Sequence, residues 1–182
     1  MRYMKVRPIF FDMDGTLIDS TEASEVTWQR WAAGRQVSME SIRQVHHGRR
    51  PEETIAIVAP HLNAIEESKR IYSEQETLAE GTYPIAGANA FFESVPRGQC
   101  AIVTAASRRI VDVRFRIVGL VPPDLCVTAD TLTAGKPSPE GTLKPGDDWI
   151  ANPRNSLDPD ASDIHAESTR YAAIHERTYG TV

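Results

Sequence analysis

Asp12 and Asp14 stand two residues apart at the end of the apolar run Ile9-Phe10-Phe11, and Gly15 and Thr16 follow at once. Strand side chains alternate between faces, so both carboxylates point the same way where the strand gives out. Two carboxylates that close repel unless a cation or a shared proton compensates. A hard cation such as Mg²⁺ takes one or two carboxylates together with waters and phosphate oxygens, and is the natural partner at neutral pH. This set of groups suits phosphoryl transfer. One carboxylate attacks phosphorus, while the other protonates the leaving oxygen and then activates water. An Asp-rich surface turn is the plain competing reading. A calcium loop is excluded, because it needs glycine and glutamate where this chain has Leu17 and Ala23.

Such a pair is useful only where secondary structure holds it. Residues 6–11 read as a buried strand, since Ile9, Phe10 and Phe11 leave no polar face. Gly15 permits the sharp exit from the sheet. From Thr21 the spacing turns helical, with Val26, Trp28, Trp31 and Ala32 on a broad core face and Gly34 as a stop. A second helix begins after Ser38 as N-cap and ends near His46, with Ile42 and Val45 inward. A third starts at Pro51 with Glu52 and Glu53 in its first turn and ends before Pro60. A fourth runs from Ala64 to Ala79. Residues 20–82 therefore read as an all-helical insertion.

The α/β pattern resumes at Pro84, with a helix over Ala88–Val95 and a buried strand Gln99–Val103 that ends at Thr104. A hydroxyl there, followed by a helix from Ser107, makes a phosphate cradle from a side chain and a helix N-terminus. The helix spans 107–118, and Leu125–Thr128 is the next strand. Gly135, Pro137 and Pro139 then hold Lys136 in a defined loop.

The run Phe11-Asp12-Met13-Asp14-Gly15-Thr16-Leu17-Ile18-Asp19-Ser20 resembles the first motif of the haloacid dehalogenase-like phosphohydrolases. The resemblance implies an α/β, Rossmann-like parallel sheet core with an inserted small all-helical cap. Core residues would be 1–19 and 83–144, and the cap 20–82. It implies Asp12 as the nucleophile that forms an aspartyl-phosphate and Asp14 as the general acid/base, with Asp12 and Asp14 also serving Mg²⁺. Thr104 stands at the family's second motif. Ala105 replaces the usual Ser, Asn or Gly beside it, a change that keeps the backbone N–H for phosphate. Lys136, in Gly-Lys-Pro-x-Pro, matches the third motif and would neutralise the attacking carboxylate and the phosphate. Dehalogenases of this superfamily lack the second aspartate, so Asp14 favours phosphate chemistry. The likeness is greatest to phosphatases of glycerol phosphate, 2-deoxyglucose 6-phosphate and related sugar phosphates. In that group cap loops select the substrate, which makes Arg49 of His47-Gly48-Arg49-Arg50 the candidate substrate contact.

Composition is compatible with this picture. The chain has 182 residues, 41% hydrophobic and 25% charged, and a formal charge of −5. No overall positive field draws it to nucleic acid or to an anionic membrane. An anionic substrate, a small phosphorylated metabolite, must be held by local cations. Cys100 and Cys126 lie in apolar runs without metal-ligand spacing and read as reduced thiols, which fits a cytoplasmic compartment; separately, a monomer is expected. No run approaches the roughly 18 apolar residues of a membrane span, and none reads as a signal peptide.

After Lys144 the resemblance stops. The family's acidic metal-binding motif on a further apolar strand is not recognisable in residues 145–182, where Trp149-Ile150 is the longest run of large apolar residues. The family's C-terminal strands are thus missing from the pattern, and 145–182 reads as an atypical, poorly ordered tail arising from truncation or a shifted reading frame. Two alternatives to a phosphatase remain: an inactive relative that only binds phosphorylated ligands, and a sugar-phosphate mutase.

Overall fold

The computed structural model describes residues 9–78, 80–133, 135, 136 and 140. Expectations for 1–8 and 145–182 lie outside these residues. Strand β1 (Ile9–Phe11) pairs in parallel with β4 (Cys100–Val103), and β4 pairs in parallel with β5 (Cys126–Val127). The register sets Phe11 beside Ile102 and Val103 beside Val127. Ile9 and Phe10 are half-buried rather than enclosed, since β1 is an edge strand among the described residues. Helix α5 (Ala88–Ser94) precedes β4, and α6 (Arg108–Ile117) connects β4 to β5. Parallel neighbours need such a crossover.

The core between sheet and helices is aromatic and aliphatic. Phe11, Phe92 and Phe115 meet edge to face, with ring centroids 5.4 Å and 5.7 Å apart, and Met13, Leu17, Ile18, Ile102 and Ile110 close the packing. Edge-to-face rings add to the burial gain because the positive rim of one faces the negative face of another.

Four helices follow β1 and build a second core. They are α1 (Thr21–Ala32), α2 (Met39–Arg43), α3 (Pro51–Val58) and α4 (Ala64–Gln75). Trp28 and Trp31, expected as core, are each 3% exposed and pack at 88° to one another against Ile42, Ile55, Ala59 and Ile71. Ser38 caps α2 as expected, accepting from the Ser41 N–H at 3.1 Å. Two helices are shorter than their sequence periodicity suggests. Helix α2 stops at Arg43, and α4 stops at Gln75 rather than Ala79. At the latter end the Thr77 hydroxyl donates back to the Glu74 carbonyl at 3.0 Å, a local bond that competes with helix propagation.

One element escaped the sequence. Strands β2 (Ile18–Asp19) and β3 (Tyr83–Pro84) form a two-residue antiparallel ribbon through which the chain enters and leaves the helical block. Two residues per strand are too few to show alternation.

Candidate active site

Past β1 the chain folds on itself within five residues. The Met13 carbonyl accepts from the Leu17 and Ile18 N–H groups, both at 3.0 Å, and Gly15 sits at φ +77°, where a Cβ would be strained. Met13 is completely buried, while the side chains of Asp12 and Asp14 on either side of it keep 34% and 35% of their surface open. Alternation thus plugs the turn into the core with Met13 and presents both carboxylates outward, as their spacing suggests.

Asp12 accepts from the Met13 N–H through Oδ1 at 2.9 Å and pairs through Oδ2 with Lys136 Nζ at 2.9 Å. Burial pushes the Asp12 carboxyl above the usual carboxylate range, Lys136 pulls it back, and the charge of Asp14 raises it again. Such opposed influences on a strand-end carboxylate are typical of functional sites. Asp14 is held differently. Its Oδ1 accepts from the Ser20 hydroxyl at 2.7 Å and pairs closely with the guanidinium of Arg114, which is almost fully buried on α6.

Thr104 follows β4 at the same end of the sheet, since Phe11 pairs with Ile102. Its hydroxyl accepts from the Ala106 N–H at 3.1 Å, while Ser107 caps α6 by accepting from the Ile110 N–H at 3.3 Å. Ala105 lies half-buried between them. Asp12, Asp14, Thr104 and Ala105 are therefore gathered at the carboxyl ends of β1 and β4, and the ion pair brings Lys136 to Asp12. Arg49 is not among them: its guanidinium donates to the Val45 carbonyl at 3.2 Å within the helical block. Its neighbour Arg50 reaches the core instead, donating to the Leu132 carbonyl at 2.9 Å. Among the described residues no three His, Cys, Asp or Glu side chains gather to hold a metal ion by themselves.

Residues 9–149 match the family described as haloacid dehalogenase-like hydrolase. The chain belongs to that family. Hexitol phosphatase A of Escherichia coli is 30% identical over 145 residues, which cover 77% of this chain and 67% of the relative. Glycerol-1-phosphate phosphohydrolase 2 of Saccharomyces cerevisiae is 29% identical over 169 residues, covering 88% and 66%. The chain thus spans about two thirds of the length of these relatives. In fold it is similar to a hydrolase from Pseudomonas syringae, with a TM-score of 0.68, 21% identity, and 81% and 71% of the two chains covered. CbbY of Rhodobacter sphaeroides in complex with phosphate gives a TM-score of 0.64 at 20% identity, covering 81% and 74%.

Against this haloacid dehalogenase-like frame, Ser20 and Arg114 are the site neighbours that sequence reasoning passed over. Arg114 did leave a signal. Ile110, Val111, Arg114 and Phe115 form the buried stripe of α6, and a cation within an apolar stripe needs an anionic partner.

Proposed function

We propose that this haloacid dehalogenase-like chain is a phosphoric monoester hydrolase acting on a small sugar or polyol phosphate. The observation that carries the reading is the Asp12–Lys136 pair at a strand end, with Asp14 held two residues on by Ser20 and Arg114. The names of the relatives support the substrate class.

In this mechanism Asp12 Oδ attacks phosphorus, the P–O bond to the sugar or polyol breaks, and Asp14 delivers a proton to the departing oxygen. Asp14 then takes a proton from water as that water attacks the aspartyl-phosphate, and phosphate leaves. Ser20 and Arg114 keep Asp14 aimed while it does both. Lys136 offsets part of the cost of burying the Asp12 charge and meets the phosphoryl charge. Because Thr104 Oγ1 accepts from Ala106, its own proton is left to donate to a phosphoryl oxygen, beside the Ala105 N–H and the start of α6.

The donor set fits Mg²⁺. Asp12 offers a hard oxygen in a place where burial and Asp14 both disfavour its charge, and a cation beside it offsets both. The Asp12 carboxylate and the Asp14 main-chain carbonyl would hold the ion, which when bound draws charge from the phosphoryl oxygens. The helical block acts as the cap, excluding water from the transferring group. We place the enzyme in the cytoplasm as a monomer. No helix among the described residues is long and apolar enough to cross a membrane.

The test is phosphate release from a panel of hexitol, glycerol and hexose phosphates, with and without Mg²⁺. Metal-dependent release is expected. Purified, folded protein that releases none from any ester would leave the chain as a binder of phosphorylated ligands, and isomerised product with a sugar bisphosphate present would make it a mutase.

A further inference from the structure

The segment that carries Lys136 is held from across the molecule. Arg50, the residue before α3, is only 7% exposed, and its guanidinium donates to the Leu132 carbonyl at 2.9 Å and the Thr133 carbonyl at 3.4 Å. Glu53, one turn into α3, accepts from the Arg50 N–H at 3.2 Å and from the Gly135 N–H at 3.0 Å. Lys136 is the next residue, and its Nζ lies 2.9 Å from Asp12.

Gly135 completes the arrangement. It is buried, and a Cβ there would stand 2.6 and 2.7 Å from the two carboxylate oxygens of Glu53, closer than real contacts allow. A side chain at this position would have to push the Glu53 carboxylate, the far end of a flexible side chain, away from the loop. The loop has a second tie of its own, in which Glu140 accepts from the Thr133 N–H at 3.0 Å. That tie lies before Gly135; among the described residues, the charged acceptor on the Gly135 N–H comes from the helical block.

We infer that Arg50 and Glu53 form a clamp by which the helical block positions Lys136 against Asp12. They are positioning residues, and act through the backbone groups of Leu132, Thr133 and Gly135. A charged acceptor on a backbone N–H is among the stronger hydrogen bonds, and small displacements of a reacting group cost rate steeply. Both residues belong to the helical block, so displacing that block from the sheet would release the ties to Leu132, Thr133 and Gly135. This rests on the phosphatase reading for its catalytic consequence, but not for the contact itself.

The experiment combines amide exchange at Gly135, followed by NMR in glycine-labelled protein, with kcat and KM on the best phosphate ester found. Variants are Glu53→Ala, which deletes the acceptor, and Gly135→Ala, which drives the carboxylate off from the other side. Glu66→Gln is the control: its exposed carboxylate on α4 pairs with Lys69 at 2.6 Å and touches neither clamp residue. Expected are exchange at residue 53's partner amide at least tenfold faster in Glu53→Ala, and kcat down at least tenfold in both alanine variants with KM within threefold. Glu66→Gln leaves the Gly135 amide unchanged. An unchanged Gly135 amide in folded Glu53→Ala overturns the clamp whatever the turnover. Faster exchange with unaltered kcat overturns its positioning role. A wild-type protein without turnover bears on the phosphatase reading alone, and the amide then decides the clamp.

Discussion

At the scale of single residues the account depends on two carboxylates with unequal surroundings. Asp12 faces a lysine and is pushed up by burial, whereas Asp14 is tied to Ser20 and Arg114. Removing the Asp14 acid function by Asp14→Asn is expected to lower kcat by about 10²–10⁴-fold, the usual worth of a positioned acid/base. Steady-state kinetics on an ester with a poor leaving group measures it. Arg114→Met keeps the apolar stem volume in α6 but frees the Asp14 carboxylate to turn. We expect kcat to fall about tenfold or more, with KM little altered, and urea denaturation to show a folded protein. The residue scale is also where the sequence was most legible. The Asp12 and Asp14 positions follow from a short motif on one strand and one turn, and that of Lys136 from its Gly-Lys-Pro-x-Pro loop, past one helix and one strand from Thr104. Arg49 and Arg50 show the limit: two adjacent arginines before a proline look alike in sequence, and only packing decides that one folds back on Val45 while the other crosses to Leu132.

At the scale of elements, continuous apolar runs marked β1 and β4, helical spacing marked α1, and the Ser107 cap marked the start of α6. Nothing comparable marked the β2–β3 ribbon, which contributes two residues per strand, too few to repeat, even though Ile18 is buried in the core. The helical block has its own core, so it is open to a direct test. Ile71 is fully buried against Trp28, Trp31 and Ile55. Ile71→Ala should cost about 2–5 kcal/mol of folding stability through lost burial and the cavity left behind. A urea midpoint unchanged from wild type would show that this block does not unfold with the rest. Ile57, apolar in the α3 pattern but 53% exposed, should tolerate alanine within about 0.5 kcal/mol.

At the scale of the whole molecule, acid sensitivity has an identifiable source. Burial pushes the His46 imidazole down to about 4, helped by His47, whose ring centroid lies 4.1 Å away, and by Arg43, while Glu25 pulls it back up. In the unfolded chain the ring titrates near its ordinary value of 6.5. Below that pH the unfolded chain binds a proton that the folded one refuses. Stability therefore declines as pH falls from about 6.5 to 4, by as much as ~3 kcal/mol from this group. His46→Phe should flatten the dependence of the urea midpoint over that window. Parallel curves for variant and wild type would remove His46 as the source. The −5 charge of the chain leaves the local cations Lys136 and Arg114 beside the carboxylates as the groups that set the field at the site.

The central claim is that Asp12 carries the phosphoryl group, and trapping it there is the most direct measurement. p-Nitrophenyl phosphate has a leaving group that needs no proton, so Asp14→Asn should still be phosphorylated by it while hydrolysis of the adduct, which needs the base, is slowed. Acid-quenched protein should then carry a hydroxylamine-sensitive phosphoryl group on the peptide containing Asp12, and the double variant Asp12→Asn/Asp14→Asn should carry none. Turnover by the Asp12→Asn single variant at the wild-type rate, or an adduct on another residue, would contradict the account.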